Sequence, residues 1–142
     1  MNSTLPYSET IKVRFRDTDS QGHLYFANYL VYADEITGFY MASLGFNSAN
    51  PDEVPCYIFT VNLNCDYLDE CKALDDVRVC TGYTRLGNSS AEVAFELYRE
   101  HDGVLLSRGS FTQVFVDKAT RKSCPIPETF RTSVKVSQPE IA

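Results

Sequence analysis

The chain has 142 residues, 44% hydrophobic and 23% charged, with nine Tyr and nine Phe, no Trp and a net charge of −6. That length and balance describe one domain able to bury a core without metals or disulfides, and they exclude disordered, collagen-like and coiled-coil chains. An acidic chain with no Lys/Arg run lacks the basic face that nucleic acid or an anionic membrane surface requires.

Met1–Glu9 is polar and carries no signal-peptide core. No apolar run reaches the roughly 18 residues of a spanning helix. The expected location is the cytoplasm. The cysteines Cys56, Cys65, Cys71, Cys80 and Cys124 are odd in number and have no C-x-x-C pair, which reads as free thiols in a reducing compartment. With only His23 and His101 beside them, neither a zinc site nor a cysteine nucleophile is expected.

Residues 11–16 alternate apolar and basic, predicting a half-buried strand with Ile11, Val13 and Phe15 inward. An Asp-rich turn follows. Asn28–Leu44 predicts a helix whose stripe is Tyr29, Tyr32, Ala33, Ile36, Tyr40 and Leu44, with Gly45 at its C-terminal cap. Gly38 marks a close packing position on it. A loop, 46–55, leads into four strands: Tyr57–Asp66 with Tyr57, Phe59, Val61, Leu63 and Cys65 on one face, then Val77–Arg85, Ala91–Glu100 and Val104–Val116. Tight turns at Gly87-Asn88-Ser89 and His101-Asp102-Gly103 make these neighbours antiparallel. The tail from Asp117 reads as a loop plus a short turn, frayed at its end. A lone helix cannot bury its stripe, so a curved antiparallel sheet wrapped around it is expected. The uncovered edges favour a second copy.

The chemistry concentrates in Asp17–Tyr29. A carboxylate brought back to the unpaired N–H groups at a helix start can attack or hydrate a carbonyl, with the helix dipole stabilising the oxyanion. Asp19 is the candidate, and an Asx-turn residue is its structural alternative. Asp17 is read as structural, paired with Arg14 or Arg16. Ser20 lacks a nucleophile elbow. His23 is a loop histidine able to act as a base. Asp34 and Glu35 stand mid-helix, facing either solvent, a cleft or a dimer seam. Of the basic residues beyond the helix, Arg85, Arg99, Arg108, Arg121 and Lys122, none is singled out by sequence as a phosphate ligand.

Phe15-Arg16-Asp17-Thr18-Asp19-Ser20-Gln21-Gly22, then Tyr25-Phe26-Ala27-Asn28-Tyr29 and a helix, resembles the 4-hydroxybenzoyl-CoA thioesterase family of the hotdog fold. Leu74-Asp75-Asp76-Val77 is similar to that family's approach to its third strand. The resemblance covers about residues 10–118 of a single domain, 1–142, with 119–142 as its tail. It implies an α+β fold, a five-stranded antiparallel sheet around one long helix, in dimers or dimer-of-dimers tetramers with sites at the seam. It implies hydrolysis of acyl-CoA or acyl carrier protein thioesters without metal or cofactor. The family's acid falls on Asp19, its carbonyl-holding backbone N–H on Phe26 and its loop glycine on Gly22. Tyr25, Ala27, Asn28, Asp34 and Arg85 are the substrate-binding candidates.

Two departures stand out. Phe26 occupies a position where many members have His, and Leu86-Gly87-Asn88-Ser89 replaces a basic CoA-gripping cluster, leaving only Arg85. A non-catalytic acyl-thioester binding protein, and an enoyl hydratase or dehydratase pairing Asp19 with His23, are the alternative readings on the same fold.

Overall fold

A computed structural model describes residues 3–141. The elements run β1 (Tyr7–Lys12), α1 (Phe26–Ser43), β2 (Tyr57–Tyr67), β3 (Asp76–Leu86), β4 (Ser90–Arg99), β5 (Leu105–Val116) and α2 (Glu128–Ser137). The five strands form one antiparallel sheet in the order β1-β3-β4-β5-β2. α1 lies across its β1, β3 and β4 side. This is the hotdog architecture that the resemblance implies. Among the described residues no helix is long and apolar enough to cross a membrane.

The core follows the α1 stripe. Tyr29, Tyr32, Ala33, Ile36, Tyr40 and Met41 are buried against Val77, Val79, Val93, Phe95 and Leu97 of the sheet. Thr37 and Thr81, both buried, satisfy each other across the layer at 2.9 Å, as buried hydroxyls must. The helix stops in a Schellman motif. Gly45 takes φ +93°, its N–H donates to Ala42 O, and the Phe46 N–H reaches Met41 O at 2.9 Å. Leu44, expected on the stripe, is the half-buried cap residue. The space beside Gly38 is open, so no close neighbour requires a glycine there.

Three local expectations need correction. Phe15 is 85% exposed, because the chain leaves the sheet after Lys12 and a 3-10 turn over Phe15–Asp17 breaks the strand alternation. Strand β2 does not keep its apolar residues on one face: the register shift between Thr60 and Asn62 sets Phe59 opposite Val114 but Leu63 opposite Phe111, which point to opposite faces of β5. Phe59, Val61 and Leu63 are 39%, 58% and 47% exposed, since β2 is the outer strand beyond the reach of α1 and carries a bulge between Thr60 and Asn62. The tail folds rather than frays: α2 buries Phe130 and Val134, and Ile126 precedes them at the same four-residue spacing. Ala142 lies outside the described residues.

The α2 helix closes the open end of the core. The Phe130 ring meets Phe46, Tyr83 and Phe115 at centroid distances of 5.4, 5.8 and 6.0 Å. Gln138 then continues the lock. Its amide donates to Tyr83 O at 2.7 Å and accepts from the Tyr83 N–H at 2.9 Å, imitating a strand neighbour. Phe130→Ala is therefore expected to cost about 3–5 kcal/mol in urea unfolding, as for other buried aromatics. A loss below about 0.5 kcal/mol, typical of surface positions, would show the tail to be dispensable.

Candidate active site

The front of α1 is held by its own upstream turn. The Asp17 carbonyl accepts two hydrogen bonds, from the Tyr25 N–H and from the Asn28 side-chain amide, both at 2.9 Å. The Asp17 carboxylate accepts from the Tyr32 hydroxyl at 2.7 Å, one turn further along the helix, and from Arg14 Nε at 3.3 Å, with Arg16 at 4.0 Å. Burial alone would raise the Asp17 carboxyl. The Tyr32 and Arg14 bonds outweigh it and hold the group below its ordinary range. The structural role expected for Asp17 is thus the one it has, with both Arg14 and Arg16 as partners.

Residues between Asp17 and α1 form a small closed loop. Thr18 bridges Leu24, the Asp19 N–H donates to His23 O at 2.8 Å, and the Gly22 N–H returns to Asp19 O at 3.0 Å. Gly22 takes φ +82° to complete the reversal, a conformation that L side chains adopt only with strain. Asp19 Oδ1 accepts the N–H groups of Gln21 at 2.9 Å and His23 at 3.3 Å. Asp19 therefore is an Asx-turn residue. Among the described residues Oδ2 accepts no hydrogen bond and no cation pairs with the carboxylate. One oxygen fixes the group, and the other is free.

The loop is anchored sideways as well. His23 bridges Lys72, the Leu24 N–H donates to Cys71 O at 2.8 Å, and His23 Nε2 stands 3.1 Å from Glu70 Oε2. The imidazole is engaged with Glu70.

Helix α1 begins without a side-chain cap. The first-turn N–H groups of Phe26 and Ala27 precede any intrahelical carbonyl they could reach. The Phe26 ring is 59% exposed, packed on Tyr25 at 4.8 Å and edge-on to Tyr67 at 6.3 Å, while the Tyr67 hydroxyl donates to Phe26 O at 2.8 Å. An aromatic bed of Tyr25, Phe26 and Tyr67 thus lies open beside the first turn.

The remaining candidates divide. Asp19, Gly22, Tyr25, Phe26, Ala27 and Asn28 share one end of the molecule, and Asn28 spends an amide hydrogen on Asp17. Asp34 lies further along α1 with exposed surface, yet the protein around its carboxyl desolvates it and raises its pKa. Glu35 lies beside Phe15, Phe39 and Leu74 in a separate groove. Arg85 stands at the last turn of β3, about 30 Å of strand from the Asp19 loop. It has company there that the sequence reading missed. Arg131 of α2 donates through Nη2 to Gly87 O at 2.6 Å, and Arg85 reaches Ser90 Oγ at 3.5 Å across the same hairpin. The four-residue spacing of Ile126, Phe130 and Val134 was the available signal for α2 and hence for Arg131.

All five cysteines are free thiols. Burial pushes Cys56 and Cys71 up to about 11, leaving both protonated at neutral pH and unsuited to nucleophilic attack.

A family model described as the thioesterase-like superfamily matches residues 13–134. The chain belongs to that superfamily. Similar solved structures include a 1,4-dihydroxy-2-naphthoyl-CoA thioesterase from Synechocystis (TM-score 0.83, 19% identity, covering 90% of this chain and 94% of that one). A gentisyl-coenzyme A thioesterase gives 0.80, 22%, 90% and 99%. A hypothetical protein from Staphylococcus aureus in complex with CoA gives 0.87, 21%, 100% and 90%. At such identities the likeness to these structures is one of fold. No curated protein matches the sequence.

The Asp17 tether sets a pH dependence. Its folded-state pKa lies below the unfolded one, so its stabilisation is complete above about pH 4, the ordinary carboxylate value, and is lost as pH falls through the folded value. Tyr32→Phe should raise the Asp17 pKa in a carbon-13 NMR titration and cost about 1.5–3 kcal/mol at pH 7, as for hydrogen bonds to charged groups. An unchanged Asp17 titration would show that the hydroxyl does not hold the carboxylate.

Proposed function

We propose that this superfamily member hydrolyses acyl-CoA thioesters in the manner of the 4-hydroxybenzoyl-CoA thioesterases, with Asp19 as the acid-base or nucleophilic carboxylate. The observation that carries the reading is the Asp19 group itself: one oxygen fixed by two backbone N–H donors, the other unpartnered, in a loop tied to an uncapped helix start.

As general base, Asp19 Oδ2 takes a proton from water while the water oxygen bonds to the thioester carbon. The carbonyl oxygen becomes an oxyanion at the Phe26 N–H, favoured by the helix dipole. Collapse breaks the C–S bond, and the thiolate leaves without acid assistance. As nucleophile, Asp19 bonds to that carbon first, the C–S bond breaks and the thiolate leaves, and water then cleaves the resulting anhydride to the free acid and the Asp19 carboxylate. Neither route uses the His23 ring, which Glu70 holds; this favours hydrolysis over a hydratase reaction. Tyr25, Phe26 and Tyr67 offer an apolar bed for the acyl group. CoA complexed with a structure of this fold supports CoA as the carrier.

A second copy completes the site in this reading. The exposed Phe59, Val61 and Leu63 lie on a strand with a free edge, which pairing with the same edge of a partner would cover. Two-fold pairing reverses the strands. It carries the Arg85–Arg131 hairpin end of one copy toward the Asp19 end of the other, where two guanidiniums suit CoA phosphates.

Asp19→Asn keeps an Oδ1 acceptor for Gln21 and His23, so the loop should hold. Free-thiol release from a panel of aromatic and fatty acyl-CoAs should fall by about 10²–10⁴ in kcat, the range for a lost acid-base group, with the melting temperature little changed. Turnover equal to wild type would remove Asp19 from the chemistry. Saturable acyl-CoA binding without turnover by the wild type would favour the binding-protein reading.

A further inference from the structure

The connector between β2 and β3, residues 68–75, is the floor on which the Asp19 loop lies. It carries the Cys71 carbonyl that accepts the Leu24 N–H at 2.8 Å, and the Lys72 bridge to His23. It also carries the Glu70 carboxylate, 3.1 Å from His23 Nε2. That floor is pinned from its other side by Arg99, the last residue of β4. The Arg99 side chain is only 17% exposed. Its Nη1 donates to Glu70 O at 2.6 Å and stands 3.6 Å from Asp69 Oδ1. Among the described residues the Glu70 carbonyl accepts no other hydrogen bond.

The rest of the guanidinium grips the β4–β5 turn. Nε donates to Asp102 Oδ1 at 3.1 Å and Oδ2 at 3.0 Å, and Nη2 donates to Oδ2 at 2.9 Å. Asp102 is fixed in turn. Its Oδ1 accepts the Val104 N–H at 3.2 Å, and the Gly103 N–H closes the turn on Arg99 O at 2.7 Å. His23, Glu70, Arg99 and Asp102 line one cleft behind the loop. Direct contacts therefore run unbroken from the turn to the carboxylate: Arg99 to the Glu70 main chain, the Glu70 side chain to the His23 ring, and the His23 N–H to Asp19 Oδ1 at 3.3 Å. Only an arginine can make the first link and hold the turn as well. Its five N–H donors sit in a rigid plane, so one edge takes the carboxylate and another the carbonyl. A lysine ammonium is a single point charge and cannot reproduce a grip on both sides.

We propose that Arg99 is a positioning residue for Asp19, acting through Glu70 and His23. The proposal rests on the reading of Asp19 as the catalytic carboxylate, and Arg99 itself touches no reacting atom in it. Misplacing a catalytic group by about 1 Å costs about 10²-fold, and a shift passed through two intermediate residues is expected to cost about tenfold.

The test uses the full-length chain. Arg99→Lys keeps the charge and loses the fork. Its kcat for free-thiol release should fall about tenfold with KM unchanged. The amide nitrogen-15 NMR signals of Gln21 and His23, the two donors to Asp19 Oδ1, should shift. Combined with Asp19→Asn it should cost nothing further, because the group it positions is already disabled. Glu70→Ala alters a side chain that is 64% exposed and should fold normally. It should shift the same two amide signals and lower kcat about two- to fivefold, as for loss of an exposed ion pair. That variant decides the matter should Arg99→Lys not fold. Unshifted Gln21 and His23 signals, or an Arg99→Lys loss that multiplies in full with that of Asp19→Asn, would overturn the proposal and leave Arg99 a purely structural clamp. Full turnover by Asp19→Asn would instead overturn the Asp19 reading; shifted amide signals there would support the positioning without the chemistry.

Discussion

Asp17 carries more of this structure's organisation than any other residue. Its carbonyl takes the Tyr25 N–H and the Asn28 amide, and its carboxylate takes the Tyr32 hydroxyl and Arg14. Three of these four bonds tie the turn after β1 to the beginning and the second turn of α1, and the fourth, from Arg14, closes that turn on itself. A charge-assisted bond into a mostly desolvated position is among the stronger polar interactions a fold can use, and the Asp17 side chain is only 14% exposed. With that tether made, the intervening loop has few ways to close. Gly22 reverses it, and Asp19 sits in the loop that leads into a helix start that no side chain caps. The division of labour between the two acids follows from geometry. The Asp17 carboxylate is consumed by Tyr32 and Arg14, and the Asp19 carboxylate keeps an oxygen free.

The molecule is polarised along α1. One end carries the Asp19 loop, the uncapped N–H groups and the exposed aromatic bed. The other carries the Gly87–Ser90 hairpin with Arg85 and Arg131 and the α2 lock on Tyr83. The strand that leaves most apolar surface exposed, β2, is the edge strand at the far side of the sheet. An edge of that kind invites pairing, and an antiparallel partner is what would bring unlike ends together. Oligomerisation and catalysis are coupled in this account through strand direction alone.

The parts of the fold legible in sequence were those governed by local periodicity. The α1 stripe from Tyr29 to Tyr40, the Gly45 cap and the two hairpins around Gly87 and Gly103 are short-range signals, and the structure has them all. Phe15 was misread because alternation says nothing about where a strand ends. β2 was misread because alternation does not show the bulge between Thr60 and Asn62, which turns Leu63 and Cys65 away from the face of Tyr57 and Phe59. α2 was missed because the prolines around it outweighed a spacing of only three apolar residues. The site divided similarly. The motif named Asp19, Gly22 and Phe26, but the Tyr32–Asp17 bond joins residues 15 apart, Arg131 meets Gly87 from 44 residues away, and such pairings are set by tertiary packing.

The central claim is that a loop acid and an exposed helix-start amide converge on one carbonyl. A crystal structure with a ketone analogue of an acyl-CoA, in which a methylene replaces the sulfur, addresses it without turnover. The account predicts the ketone oxygen at about 2.9 Å from the Phe26 nitrogen and its carbon facing the free oxygen of Asp19, directly or through one water. An analogue bound with its carbonyl away from Phe26, or with Asp19 turned from the carbon, would contradict it.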